Sequence, residues 1–288
     1  MFYFFSQPQQ LPSDVCGLTN LGNTCFMNSV LQALYATHIF KSYVIKHQRT
    51  SLMASLSNLF REMESPDNST VSPTSFRSQF TRYQPRFRGY DQQDAQEFLR
   101  YLITGLHEEV NEAKNKPKSQ LRSPQSSSEA WRQYKTIDDS PFIDMLGGQL
   151  SSVIECTQCG NKSTCWDPFW DLSLPLPRHK NECTVEECLR EFTALEELSP
   201  GEHAICERCK RQTQSTKQLS IERAPPVLIL HLKRFSNEGY KLSVPRVVPD
   251  DKLLVKSRYY TLYAIVSHHG SSSRSVIHHD SSFLSKAE

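Results

Sequence analysis

No stretch of this 288-residue chain stays apolar for the roughly twenty residues that a membrane-spanning helix needs. An excess of one charge is missing as well. The 33 basic and 31 acidic residues leave a net charge of +2, which gives no reason to expect nucleic acid. The opening Met1-Phe2-Tyr3-Phe4-Phe5 is greasy, but it has no basic n-region and is too short for a signal-peptide core. Without such a signal, the glycosylation patterns at Asn68-Ser69-Thr70 and Asn161-Lys162-Ser163 carry no weight. Nine cysteines, an odd number, argue against a simple disulfide framework. The expectation is a cytoplasmic and/or nuclear protein with neither membrane nor nucleic acid as a partner. Its 38% hydrophobic and 22% charged residues are ordinary for a globular chain, long enough for one large or two medium domains.

The chain divides by pattern. Residues 1–14 read as a flexible leader with Gln and Pro. From Thr19 to about Val110 the apolar spacing is helical. Leu52, Leu56, Leu59, Phe60 and Met63 form one stripe, and Phe98, Leu99, Leu102, Leu106 and Val110 form another. Lys114 to Ser128 is rich in Lys, Pro, Gln and Ser and reads as a surface loop. Strand patterns follow at Leu150–Ile154, at the apolar run Val227–Leu232 and at Tyr259–Val266. A helical half followed by a strand-rich half predicts an α+β architecture.

The run Gly17-Leu18-Thr19-Asn20-Leu21-Gly22-Asn23-Thr24-Cys25 carries the chemistry. Val30, Leu31, Leu34 and Tyr35 recur at helical spacing after it, so the pattern puts Cys25 in the first turn of a helix. There the backbone N–H groups favour a thiolate, the nucleophilic form. Asn20, five residues upstream, is the candidate to direct an amide N–H at the oxyanion formed when a thiolate attacks a carbonyl. A lone buried cysteine beside a capped helix is the plainer reading, and the whole run outweighs it.

Two C-x-x-C pairs, Cys156/Cys159 and Cys206/Cys209, are separated by 46 residues. Four thiolates suit a closed tetrahedral zinc site without an open position for chemistry, so one structural Zn2+ is expected. Gly160 and Lys210 follow the second cysteine of each pair, as tight knuckle turns require. A redox C-x-x-C normally needs only one such pair, at a helix start. Cys16, Cys165, Cys183 and Cys188 lack this pairing and read as structural. No internal repeat is visible beyond the two knuckles.

Gly89-Tyr90-Asp91-Gln92-Gln93-Asp94-Ala95-Gln96-Glu97 begins a helix with acidic and amide side chains, with three glutamines within five residues. A capped helix start explains the aspartates but not the glutamines. Together with the cysteine run, Asp167-Pro168-Phe169-Trp170-Asp171-Leu172 and Leu230-His231-Leu232-Lys233-Arg234-Phe235, it resembles the ubiquitin-specific proteases, the papain-like deubiquitinating enzymes. The resemblance runs from about Gly17 to Arg234. It implies a thumb over about 15–135 and zinc-bearing fingers with a palm over about 136–288, the catalytic domain spanning 15–288. It implies Gln93 and Asp94 as contacts for the ubiquitin tail, and ubiquitin and ubiquitinated proteins as partners. The implied reaction is hydrolysis of the isopeptide or peptide bond after the C-terminal glycine of ubiquitin. His231 sits in an apolar strand and reads as a core histidine.

One family segment is missing. The catalytic histidine belongs to a Gly-His-Tyr strand, and this chain has no Gly-His-Tyr. Tyr260 to Gly270 matches the approach strand, Ser271–Ile277 is too short for the catalytic strand, and His278-His279-Asp280-Ser281-Ser282 resembles the following Asn-Asp-Ser-Ser segment. By that match Asp280 is the candidate orienting residue, and the palm reads as C-terminally shortened. Four of the ten histidines, His268, His269, His278 and His279, fall within the last 21 residues. Two expectations follow: a deubiquitinase with a substitute base, or a ubiquitin-binding variant that turns over poorly. A zinc-ribbon interaction module is the third alternative.

Overall fold

The computed structural model describes residues 1–7, 16–47, 51–89, 91–114, 122–177, 180–234, 242 and 246–267, and the backbone alone of 268 and 277–279. The first half runs β1 (Phe2–Ser6), β2 (Gly17–Leu18), α1 (Cys25–Ala36), α2 (His38–Lys46), α3 (Ser51–Glu64), β3 (Thr70–Val71), α4 (Thr74–Tyr83), α5 (Ala95–Val110), α6 (Ser127–Ile137) and α7 (Pro141–Leu146). The second half runs β4 (Gly148–Cys156), β5 (Lys162–Phe169), β6 (Leu172–Leu174), β7 (Glu182–Thr184), α8 (Val185–Phe192), β8 (Glu196–Glu197), β9 (Ser215–Arg223), β10 (Val227–Leu232), β11 (Arg246–Val248), β12 (Lys252–Val255), β13 (Arg258–His268) and β14 (Ile277–His279). This is the helix-then-strand order that the pattern predicts.

Helices form where the apolar stripes lie. α3 buries Leu52, Leu56, Leu59, Phe60 and Met63, and ends just before Pro66, whose ring disfavours helix at the residue ahead of it. α5 buries Phe98, Leu99, Leu102 and Leu106. Phe98 packs edge-on against Phe26 of α1 at 5.6 Å and Phe80 of α4 at 4.8 Å, so the three helices share one aromatic knot.

Among the described residues the palm is a sheet ordered β12-β13-β1-β10-β6, with β14 also on β13. Over residues 2–6 a strand, β1, stands in place of the expected flexible leader, whose residues 8–14 lie outside the described ones. It is a central strand, antiparallel to β10 on one side and β13 on the other, and all five residues are buried. Phe2 and Phe4 enter the core shared with the helices, while Tyr3 and Phe5 enter the opposite core under α8. Four successive apolar residues, Phe2 to Phe5, with no polar alternation are what a strand covered on both faces requires. Along the other edge of β13, Arg258–Thr261 pairs with β12 and Val266–His268 pairs with β14. Lys256 and Ser257 both take positive φ, 47° and 61°, the backbone of a tight primed hairpin turn between β12 and β13.

The fingers are a separate sheet, β5-β4-β9-β8. Its long β4–β9 ladder runs from Gln149↔Arg223 to Cys156↔Ser215 and carries the knuckles at its far end. No helix among the described residues is long and apolar enough to cross a membrane.

Candidate active site and metal centre

Cys25 is the first residue of α1 and is half-buried. The loop before it is tied in place by side chains. Thr24 donates to Asn20 Oδ1 through both its backbone N–H and its hydroxyl, each at 3.0 Å, and its Oγ1 accepts from Leu21 N at 2.9 Å. Asn28 Nδ2 donates to the carbonyls of Leu18 and Thr19 at 3.2 and 3.1 Å. Gly22 and Asn23, with φ of 84° and 50°, reverse the chain between these ties. With Oδ1 of Asn20 engaged twice, the amide plane is fixed and Nδ2 is left as the donor end. That is the end an oxyanion needs.

The glutamine that meets Cys25 is Gln92, which the sequence does not set apart from its neighbour Gln93. Cys25 Sγ donates to Gln92 Oε1 at 3.5 Å, and Gln92 Nε2 donates to Asn23 Oδ1 at 3.1 Å. Gln93 is half-buried in the same loop. Asp94 is the N-cap of α5, its Oδ1 accepting from Gln96 N at 2.7 Å and Glu97 N at 2.9 Å. The three clustered glutamines were the available signal, but a loop has no periodicity to say which one turns back.

Behind them a half-buried polar chain centred on the buried Asp171 joins α5 to the palm. Gln96 Nε2 donates to Asp171 Oδ2 at 2.7 Å and Ser173 Oγ at 3.0 Å, and Arg100 Nε donates to Asp171 Oδ1 at 2.8 Å. Ser173 Oγ lies 3.1 Å from His231 Nδ1, and the His231 ring packs 4.9 Å from Phe2. Burial pushes the His231 pKa down to about 3, so this imidazole stays neutral as a core group.

Asp280, the candidate orienting residue, and His269 lie outside the described residues. The backbone of β14 pairs Val266↔His279, Ser267↔His278 and His268↔Ile277, and α1 lies against both β13 and β14. Val266 belongs to the core shared with the helices. Residues paired across an antiparallel ladder share a face, so position 279 is on the thumb-facing side of the sheet and position 278 on the other.

The four knuckle cysteines converge as their spacing predicts. Their sulfurs all lie within 4.8 Å of one another, the Cys159–Cys206 pair at 3.6 Å. Tetrahedral bonds of 2.3 Å set sulfurs about 3.8 Å apart, so this all-sulfur donor set fits one zinc-sized ion. Gly160 at φ 68° and Lys210 at φ 56° close the two knuckles, with Gly160 N donating to Cys156 O and Lys210 N to Cys206 O. The buried Thr213 hydroxyl lowers the Cys156 thiol, favouring the thiolate a metal takes, while the crowding of neighbouring sulfurs raises Cys159 and Cys209.

Two further clusters stand outside these sites. His107 is buried between Ser140 Oγ at 2.8 Å and Asp138 Oδ1 at 3.3 Å. Ser140 is itself buried as the N-cap of α7, so this serine–histidine–aspartate group braces α5 against α7 rather than presenting a nucleophile. Cys183 and Cys188, both buried, bring their sulfurs to 3.7 Å across the start of α8. Burial raises both thiols, Cys188 to about 12, as expected of structural cysteines.

Comparison with known proteins follows the same lines. The chain is 43% identical to ubiquitin carboxyl-terminal hydrolase 2 of Bos taurus over 248 residues, 80% of this chain and 41% of that protein. It is 34% identical to ubiquitin carboxyl-terminal hydrolase 21 of Rattus norvegicus, over 91% of this chain and 54% of the relative. The chain thus spans about half or less of those two relatives. Its fold is similar to the SAGA Ubp8/Sgf11/Sus1/Sgf73 DUB module bound to ubiquitin aldehyde, with a TM-score of 0.70, 23% identity, and 94% of this chain and 63% of that one covered. The same module bound to monoubiquitin gives a TM-score of 0.71 at 25% identity, covering 94% of this chain and 62% of that one. A family model described as ubiquitin carboxyl-terminal hydrolase matches residues 16–279, almost the whole chain. With its cysteine-led helix, four-thiol knuckle pair and helix-on-sheet fold, the chain belongs to the ubiquitin carboxyl-terminal hydrolase family.

Proposed function

We propose that this chain is a cysteine-type deubiquitinase that hydrolyses the isopeptide or peptide bond after the C-terminal glycine of ubiquitin. The observation that carries it is the pairing of Cys25 at the first position of α1 with an Asn20 amide whose oxygen is held by Thr24. Cys25 attacks the glycine carbonyl, Asn20 Nδ2 meets the oxyanion, and a base takes the thiol proton and returns it to the leaving amine. Water then releases the acyl-enzyme. For the base we propose His279, because its register opposite Val266 sets it on the side of the sheet where α1 lies. Asp280, its neighbour, is the proposed orienting residue. Gln93 and Asp94, beside the nucleophile in the loop before α5, are the proposed contacts for the basic tail of ubiquitin, with ubiquitinated proteins as substrates. One Zn2+ held by Cys156, Cys159, Cys206 and Cys209 would clamp the finger hairpins and take no part in the chemistry. Nine unpaired thiols support a reducing compartment, cytoplasm or nucleus.

A ubiquitin C-terminal fluorogenic amide tests the reading. Turnover above that of Cys25→Ala is expected, with His279→Ala lowering it about 10²–10⁴-fold, the usual worth of acid–base help. Turnover equal to Cys25→Ala refutes the hydrolase. It would favour the ubiquitin-binding reading, whose supporting observation is the missing Gly-His-Tyr. Full turnover in His279→Ala refutes the proposed base alone.

A further inference from the structure

We propose that Asp171 is a positioning residue for Cys25: from the palm it fixes the roll and height of α5, and so how the Gln92–Gln93 end of that helix walls the nucleophile. The proposal rests on the reading of Cys25 as nucleophile. Residues 170–173, where β5 of the fingers passes into β6 of the palm, hold α5 at three of its residues. Asp171 Oδ2 accepts from Gln96 Nε2 at 2.7 Å, and its Oδ1 accepts from Arg100 Nε at 2.8 Å. Ser173 Oγ accepts from the same Gln96 Nε2 at 3.0 Å, and the Trp170 ring stands edge-on to His107 at 5.6 Å. Steps of four and eleven residues return to within about 40° on a helix, so positions 96, 100 and 107 share one stripe. Phe98, Leu102 and Leu106 turn to the other side, into the apolar core.

The two sides do different things. Apolar packing is non-directional and leaves a helix room for small rolls and slides. Two hydrogen bonds from one carboxylate to side chains one turn apart stop both movements. Asp171 is buried, its side chain 3% exposed, while the Arg100 counter-charge is 58% exposed. An apolar residue would fill the same space at a lower desolvation cost; what a carboxylate adds is direction. Both helices of the site are thereby referred to one sheet. α1 lies against β13, and Asp171 anchors α5 beside β6, three strands away at about 14 Å. Cys25 starts α1, and Gln92, four residues ahead of Gln96, stands 3.5 Å from its sulfur. A roll of α5 therefore shifts the residues over the sulfur and leaves α1 in place.

The test compares cysteines within one molecule and needs no turnover. The full chain is treated with iodoacetamide at pH 7, and each cysteine peptide is followed by mass spectrometry. Asp171→Asn keeps the shape but turns an amide N–H toward one of the two donors, so one tie is lost. Alkylation of Cys25 should become about tenfold faster, while the buried Cys16, Cys183 and Cys188 stay within about twofold of their native rates. An equal rise at all four means general loosening and overturns the proposal, as does no rise at Cys25. Adding Gln96→Glu should restore Cys25 to within about twofold of native, since the new amide then faces a carboxylate on α5 and its oxygen keeps Arg100. A folded double variant with Cys25 still fast overturns the proposal. Should Asp171→Asn not fold by circular dichroism, the exposed Arg100→Gln decides: selective speeding at Cys25 supports the proposal and an unchanged rate overturns it. Ubiquitin carrying a C-terminal electrophile should move the other way, labelling Cys25 about tenfold more slowly in Asp171→Asn, because its tail needs the wall in register. Unchanged labelling overturns the positioning role. No labelling of the native chain refutes the hydrolase instead, and the alkylation rates then decide on Asp171 alone.

Discussion

Phe4→Ala is the substitution that best tests the placement of β1. Phe4 is fully buried, sits opposite Ala264 and Ile229 in its two neighbouring strands, and packs edge-on against Tyr263 at 6.2 Å. Removing a ring from such a site costs about 3–5 kcal/mol, because the cavity between two paired strands cannot collapse. For a domain this long that corresponds to about 6–20 °C in melting temperature. Phe2, Tyr3 and Phe5 are as buried as Phe4, so deleting residues 1–6 removes roughly 12–20 kcal/mol, which meets or exceeds the about 5–15 kcal/mol of a whole domain. The deletion should leave no cooperative melt, and Phe4→Ala a lowered one, both followed by far-UV circular dichroism. A flexible leader would leave the melting temperature within about 2 °C in both variants. That result would refute the sheet order and every argument that uses it.

The remaining predictions concern the metal and the buried histidine. Elemental analysis of folded, reduced protein should find about one zinc per chain, and chelation should raise amide hydrogen exchange at the knuckle ends of β4 and β9 before the palm. Zinc near zero in folded protein would exclude the site. The pKa of His231 is about 3 in the fold against an ordinary 6.5, so below pH 6.5 the unfolded chain binds a proton that the folded one refuses. Stability should therefore be fully present above about pH 6.5 and fall by up to about 1.4 kcal/mol per pH unit toward pH 3. Urea titrations at pH 7 and 5 measure this. An undiminished pH slope in His231→Asn would assign the loss to other groups.

Local spacing made much of the site legible in the sequence. The helix beginning at Cys25 follows from a 3.6-residue period, and the knuckles follow from two short C-x-x-C spacings. The aspartates ahead of the apolar stripe mark a capped helix start, and the cap is Asp94 rather than Asp91. What escaped depends on contacts between distant segments. Gln92 reaches Cys25 across 67 residues of sequence, and no local rule separates it from Gln93. β1 escaped for a different reason. Four apolar residues without alternation, Phe2 to Phe5, have no period to read, and only the flanking β10 and β13 give them two faces to cover. The pairing of β14 with β13 needed the register of a ladder, which composition does not contain.

The central position of β1 has a consequence for how the protein is made. Ser6 pairs with Val227 and Thr261, so β1 leaves the ribosome more than 220 residues ahead of either neighbour. At 5–20 residues per second that wait is on the order of ten seconds or more. Throughout it, Phe2-Tyr3-Phe4-Phe5 is an unpaired apolar β segment free of charge and proline, the composition that self-associates most readily. The palm therefore closes last, when segments more than 220 residues apart meet. Its yield in cells should depend on chaperones that cover unpaired nascent strands, more than on the stability of the finished sheet.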